Sequence, residues 1–201
     1  MGIKYIDPEQ VGELIGTVQG RKGIIGDRDT AIVRALWETG CRIDELLSVK
    51  LADVNLSTQE IKIRNGKGNK SRTVVWRNPA TTDVLQKWID EKPDSPYLFT
   101  VVRSPGVRKG DDKGTSTRGN KLHPNSFRAS FKRYVEKSHL PAWVSPHTLR
   151  HSFAVYMLDR GLSLPELQVL LGHSSLAVTG VYLQVRNKQA LDKAKKIKDD
   201  W

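Results

Sequence analysis

Between residues 60 and 76 the apolar period of the chain changes. Residues 60–64 alternate polar and apolar, with Ile61 and Ile63 sharing one face. Asn65-Gly66-Lys67-Gly68-Asn69-Lys70-Ser71 is rich in turn formers, and residues 72–76 supply a β-branched return strand. The segment predicts an antiparallel hairpin with a basic, glycine-flanked tip. The surrounding chain carries helix signals instead. The expected fold class is therefore α+β, mostly helical with one small antiparallel sheet.

Asp7 caps the first helix, Pro8 fits its first position, and Gln10 completes a capping box ahead of Val11, Leu14, Ile15 and Val18. Gly20 ends it. Residues 21–27 read as a linker-like turn before a second helix over about 28–38, with Ala31, Ile32, Ala35, Leu36 and Trp37 apolar and Gly40 beyond its end. A short helix follows over 43–48. Thr81 or Thr82 caps another that runs to about residue 91 and buries Val84, Leu85, Trp88 and Ile89, and residues 97–99 suggest a short strand. Ser126 caps a helix carrying Phe127, Phe131, Tyr134 and Val135, and Ser145-Pro146 opens one that runs to about residue 159. Ser163 begins a shorter one ending at Leu171-Gly172, and Ser175 begins another through Val178 and Tyr182.

At 201 residues the chain fits one domain with a real core, and its 38% hydrophobic and 27% charged residues mark it as globular. Lysines and arginines outnumber acids 33 to 22, a net charge of +11. Ten of those cations face three acids between residues 101 and 140. So concentrated an excess suits a polyanion such as nucleic acid, with a solvated basic loop as the plainer alternative. Residues 102–123 read as a basic flexible loop of the long kind that is functional or disordered. No apolar run approaches a membrane span, and the N-terminus lacks an apolar signal core. Cys41 is the single cysteine, which excludes an internal disulfide framework and a Cys-rich zinc site and fits a small buried thiol. A soluble, cytoplasmic protein is expected.

Individually, the candidate site residues have ordinary explanations. His147 and His151 lie four apart, a metal-ligating spacing with His173 as a third donor, but His147-Thr148-Leu149-Arg150-His151 lacks the acidic second residue of zinc proteases. Gly66-Lys67-Gly68 imitates a phosphate loop, yet a strand follows where that motif needs a helix. His147 and Arg150 share one helical face. Arg42 reads as a surface charge, Lys67 as a hairpin-tip lysine, His173 as a helix-end cap and Tyr182 as a core tyrosine.

Their order and contexts say more. Thr39-Gly40-Cys41-Arg42-Ile43-Asp44-Glu45-Leu46-Leu47, the Lys67 hairpin, His147 to His151, and Leu171-Gly172-His173-Ser174-Ser175 followed by Thr179 and Tyr182 form a series. It resembles the catalytic domain of the tyrosine recombinases, the phage-integrase and Xer-like family, along nearly the whole chain. The resemblance implies that fold, and DNA strand cutting and rejoining through a 3′-phosphotyrosyl intermediate without metal or high-energy cofactor. It assigns Tyr182 as nucleophile, Arg42 and Arg150 as a phosphate clamp, and His147 to proton transfer and positioning near the tyrosine. His173 becomes a further phosphate donor, and Lys67 the general acid with Lys70 as runner-up. Glu45 orients the basic cluster, and His151 falls outside the catalytic set as a structural residue. Lys70, Arg72, Arg103, Arg108, Lys109, Arg118 and Lys121 are the expected DNA-binding set.

The resemblance also implies double-stranded DNA as partner, a homotetramer on DNA, a monomer in isolation and a nucleoid-associated location. It places the catalytic domain over residues 1–201, with residues 185–201 as a tail for a neighbouring protomer or for its own domain. The N-terminal helical DNA-binding domain usual in the family is not in this sequence. An accessory DNA-binding module of the same fold is the alternative reading.

Overall fold

A computed structural model describes residues 3–64, 71–102, 119–173 and 179–182. Within them the helices are α1 (Pro8–Gln19), α2 (Ile24–Thr39), α3 (Ile43–Leu47), α4 (Pro79–Glu91), α5 (Pro124–Lys137), α6 (Pro146–Asp159) and α7 (Leu164–Leu171). The strands β1 (Val54–Asn55), β2 (Glu60–Ile63) and β3 (Arg72–Val75) form an antiparallel sheet in the order β1-β2-β3. Ile61 pairs with Val54 on one side and Val74 on the other, so the buried face of the hairpin is continuous. Among the described residues, no helix is long and apolar enough to cross a membrane.

Local chemistry sets most helix starts. In α1, Asp7 Oδ1 accepts from the Gln10 amide at 2.8 Å, and Gln10 Oε1 accepts from the Asp7 amide at 3.1 Å. Ser145 with Thr148 and Ser163 with Glu166 build the same box on α6 and α7. Proline occupies the first turn of α1, α4, α5, α6 and α7, where its missing N–H costs nothing.

The central helix is α2, which packs against α1, α4 and α6. Ala31, Ile32, Ala35 and Leu36 are buried as expected, and Asp29 and Glu38 are buried with them. Asp29 is satisfied by the Arg28 Nε and Nη2 donors (2.9 and 2.7 Å) and by the Tyr134 hydroxyl (2.6 Å), while Glu38 faces Arg77 at 3.5 Å. Removing a partner from the buried Arg28–Asp29 pair costs about 3–5 kcal/mol, whereas Arg77 is 40% exposed and its pairing with Glu38 is partly screened by solvent.

Several boundaries differ from the sequence reading. Helix α2 begins at Ile24, inside the expected turn, because Gly23 caps it at φ +86° and Ile24 packs on the core. Asn78, not a threonine, caps α4, its side chain accepting from the Ala80 amide, and Thr81 is buried within the helix. His123 rather than Ser126 caps α5. In both cases a proline directly after the cap fixes the start upstream of the hydroxyl residue. Residues 97–99 form no strand; Leu98 and Phe99 are buried beside isolated bridges from Tyr97 to Lys50 and from Thr100 to Lys121. Trp37 is half-buried against the Tyr156 ring. At two residues, β1 was too short to show a period. The hairpin tip, most of the basic loop, the segment from Ser174 to Val178 and the tail lie outside the described residues.

Candidate active site

The junction of α2 and α3 delivers Arg42. Helix α2 ends at Gly40 with φ +61°, and a Cβ there would overlap the Phe153 ring of α6. Only glycine meets both conditions. The reversal turns the Gly40 carbonyl toward α6 and puts Arg42 at the N-cap of α3. One turn on, Glu45 accepts from the Arg42 amide (2.9 Å) and Nη1 (2.8 Å), and from Arg72 Nη2 (2.7 Å) and Nη1 (3.2 Å). Burial pushes the Glu45 carboxyl up, but the hydrogen bonds from Arg72 and Arg42 outweigh it and hold it at about 2. Arg42 keeps 29% of its side chain exposed, so one end is anchored and the other faces outward.

Helix α6 carries the second set in its first turns. Arg150 is 1% exposed. Its Nη1 donates to the Gly40 carbonyl (2.8 Å), and its Nη2 to the Leu171 carbonyl (2.8 Å) and His173 Nε2 (2.8 Å). Those three bonds use three of the five guanidinium N–H groups. Burial, and Arg42 beside it, lower the Arg150 value to about 10, with Glu45 acting the other way, so the charge persists at neutral pH. A buried cation held only by neutral acceptors is electrostatically incomplete. An anion in the adjoining space would complete it.

His173 follows Gly172, the left-handed cap of α7. A guanidinium cannot accept, so Nε2 is the acceptor, Nδ1 carries the proton, and it donates to Thr179 Oγ1 at 3.0 Å. Burial and the nearby arginines lower His173 to about 4 and keep it neutral. Nε2 is thus already engaged, and His173 must release Arg150 before that nitrogen can donate to a phosphate. His147, at the start of α6, is exposed on one side; desolvation of the covered part of its ring, and then Arg150 and Arg42, lower its value.

Tyr182 lies on the helical turn 179–182 and is 2% exposed. Its ring joins Phe153, Leu158, Leu167 and Leu171 in the apolar cluster between α6 and α7. Its hydroxyl lies 2.8 Å from His151 Nδ1, and the His151 ring meets His147 edge-on at 4.5 Å. Burial raises the Tyr182 value, and Arg150 and Arg42 oppose the rise.

A cavity of ≈ 430 Å³ opens beside this group, lined among others by Arg42, His147, Arg150, Arg128, Lys132 and Trp143. Arg42, Glu45, His147, Arg150, His173 and Tyr182 are therefore drawn from four separate stretches into one neighbourhood. Lys67, Lys70, Arg103, Arg108, Lys109 and Arg118 lie outside the described residues. Arg72, expected to face DNA, is instead turned inward. It is 11% exposed, locked on Glu45, and its Nε donates to the Leu170 carbonyl at 3.0 Å. Lys121 is on the surface, 3.4 Å from Ser48 Oγ. His147, His151 and His173 do not make a metal-ligating cluster among the described residues.

Three further residues stand beside the candidate site. His151, read as structural and outside the catalytic set, touches the Tyr182 hydroxyl. Arg128 and Lys132 line the cavity, and their four-residue spacing beside the buried Phe127 and Phe131 was a legible signal for a cationic helix face.

The family model described as "Phage integrase family" matches residues 4–189. Tyrosine recombinase XerA of Pyrococcus furiosus is 36% identical over 185 residues, covering 92% of this chain and 58% of the relative. Tyrosine recombinase XerC of Herpetosiphon aurantiacus is 36% identical over 190 residues, covering 94% and 58%. The chain thus spans a little over half the length of these curated relatives. Among solved structures, the crystal structure of XerA recombinase superposes with a TM-score of 0.77 at 25% identity, over 98% of this chain and 67% of that one. XerH site-specific recombinase in its post-cleavage complex with palindromic difH substrate gives 0.77 at 23% identity, over 96% and 53%.

Proposed function

The chain belongs to the phage integrase family, and from that premise we propose that it is the catalytic part of a site-specific DNA recombinase. The observation that carries the reading is the buried Arg150 guanidinium, held by neutral groups alone and sharing a cavity with Arg42. Such a pair of planar cations suits the non-bridging oxygens of a phosphodiester. It takes the place that metal ions hold in other phosphoryl-transfer sites.

In the proposed reaction the Tyr182 oxygen attacks the scissile phosphorus as its hydroxyl proton passes to the neutral His147 imidazole. The bond from phosphorus to the 5′-oxygen breaks, a 3′-phosphotyrosyl linkage forms, and Lys67 protonates the leaving 5′-oxygen. The phosphodiester energy is kept in the covalent intermediate, so a second 5′-hydroxyl can reverse the step and reseal a strand. His147 assists the proton movement and positions the phosphate. Glu45 and Arg72 hold Arg42 in place. Double-stranded DNA is the partner, and four copies assemble on it when strands exchange. The relative XerH, solved with difH in a post-cleavage complex, supports DNA as the substrate class.

A nicked suicide duplex carrying the recombination site tests the reading, because the fragment beyond the cut diffuses away and strands the intermediate. The expected product is a covalent protein–DNA species with a free 5′-hydroxyl on the released fragment. Tight DNA binding with no covalent species at any site that the protein binds specifically would refute it.

A further inference from the structure

We propose that His151 is a positioning residue for the nucleophile: its Nδ1 accepts the Tyr182 hydroxyl hydrogen bond and fixes the direction of that oxygen. The inference rests on the assignment of Tyr182 as nucleophile.

Three observations carry it. The Tyr182 ring is 2% exposed and packed among Phe153, Leu158, Leu167 and Leu171, so its hydroxyl cannot rely on bulk water. His151 Nδ1, at 2.8 Å, is the acceptor within bonding distance of that hydroxyl among the described residues. If His151 donated instead, the phenol proton would be buried without an acceptor, a loss of about 1–3 kcal/mol. The tyrosine therefore donates, and His151 carries its own proton on Nε2. Finally, the imidazole is itself wedged edge-on against His147 at 4.5 Å, one helical turn away on α6, so its orientation is set by a rigid element.

The surroundings keep the acceptor lone pair available. Burial, and then His147 and Arg150, hold His151 down at about 4, neutral at physiological pH. The consequence is a nucleophile whose apolar ring is set between α6 and α7 and whose polar tip is set by His151 on α6. Arg150, the phosphate-clamp candidate, is the immediate neighbour of His151 in sequence. One stretch of α6 thus registers both the attacking oxygen and the group it attacks.

Two His151 variants and one spectrum test this. His151→Phe keeps a planar ring but removes the acceptor, and its single-turnover formation of the covalent species on the suicide duplex should fall about 10- to 100-fold, with DNA affinity unchanged. His151→Asn puts Oδ1 near the position of Nδ1 and should recover to within about fivefold of the parent. Melting curves check that both variants fold. Without DNA, the ¹⁵N signals of His151 at pH 7 should show an unprotonated, hydrogen-bonded Nδ1 that changes when Tyr182→Phe removes the hydroxyl. Unimpaired cleavage by His151→Phe, an Asn variant as slow as the Phe variant, or His151 signals indifferent to Tyr182→Phe would each overturn the inference. A parent protein that forms no adduct would sink the recombinase reading, while the spectrum would still decide the hydrogen bond.

Discussion

Glu45 shows how one carboxylate can set the cations around it. It accepts four hydrogen bonds, two from Arg42 and two from Arg72, and so ties the N-cap of α3 to β3 and, through Arg72, to the C-terminal end of α7. Its carboxyl sits at about 2, against an ordinary 4.5. Because the folded value lies below the unfolded one, this stabilisation is complete above about pH 4.5 and drains away as the pH falls toward 2. Allowing for solvent screening, it amounts to about 2 kcal/mol. In urea titrations at a series of pH values, Glu45→Gln should lower stability at pH 7 and flatten the loss between pH 5 and about 2 that the parent shows. Equal pH slopes in the two proteins would show that Glu45 is not the group responsible.

Among the elements, the joint between α2 and α3 matters most to the site. Gly40 lets α2 touch the Phe153 ring, reverses the chain, and lends its carbonyl to Arg150. Gly40→Ala combines a strained left-handed backbone with overpacking against α6, so stability should drop by about 2–4 kcal/mol, a melting shift of roughly 5–15 °C. A shift under 2 °C in calorimetry would mean that the joint is softer than its geometry implies. Such local logic was largely legible beforehand. The hairpin, the capping box of α1, the serine starts of α6 and α7, and the buried faces of α1 and α5 follow from spacing and cap chemistry. The starts of α4 and α5 were misread because Asn78 and His123 are less conspicuous caps than the hydroxyls a few residues on. What no period announces is three-dimensional: that Arg72 would fold inward onto Glu45, or that His151 would meet Tyr182 from 31 positions away.

For the molecule as a whole, the net charge of +11 needs a surface that gathers it. The cavity beside Arg150 has one in Arg128 and Lys132 on α5, across from Arg42 and His147, with Arg128 steadied by Asp44 at 2.9 Å. These cations suit the phosphates flanking the proposed cleavage point, which fix register and carry no sequence information. Lys132→Ala should weaken binding to specific and random duplexes alike and reduce the slope of log K against log salt by about 0.9. An unchanged slope would place Lys132 away from the duplex. Six residues of the proposed site, Arg42, Glu45, His147, Arg150, His173 and Tyr182, came into one neighbourhood because α2, α3, α6 and α7 meet there, an arrangement that only their common order along the chain had suggested.

In the proposed reaction one phenol oxygen out of five tyrosines becomes bonded to DNA. Trapping the covalent species on a suicide duplex, digesting it with protease and nuclease, and sequencing the nucleotide-bearing peptide by mass spectrometry asks that question directly. The account predicts a single modified peptide with the 3′-phosphate on Tyr182. A linkage on Tyr5, Tyr97, Tyr134 or Tyr156, or on any residue other than tyrosine, would contradict it.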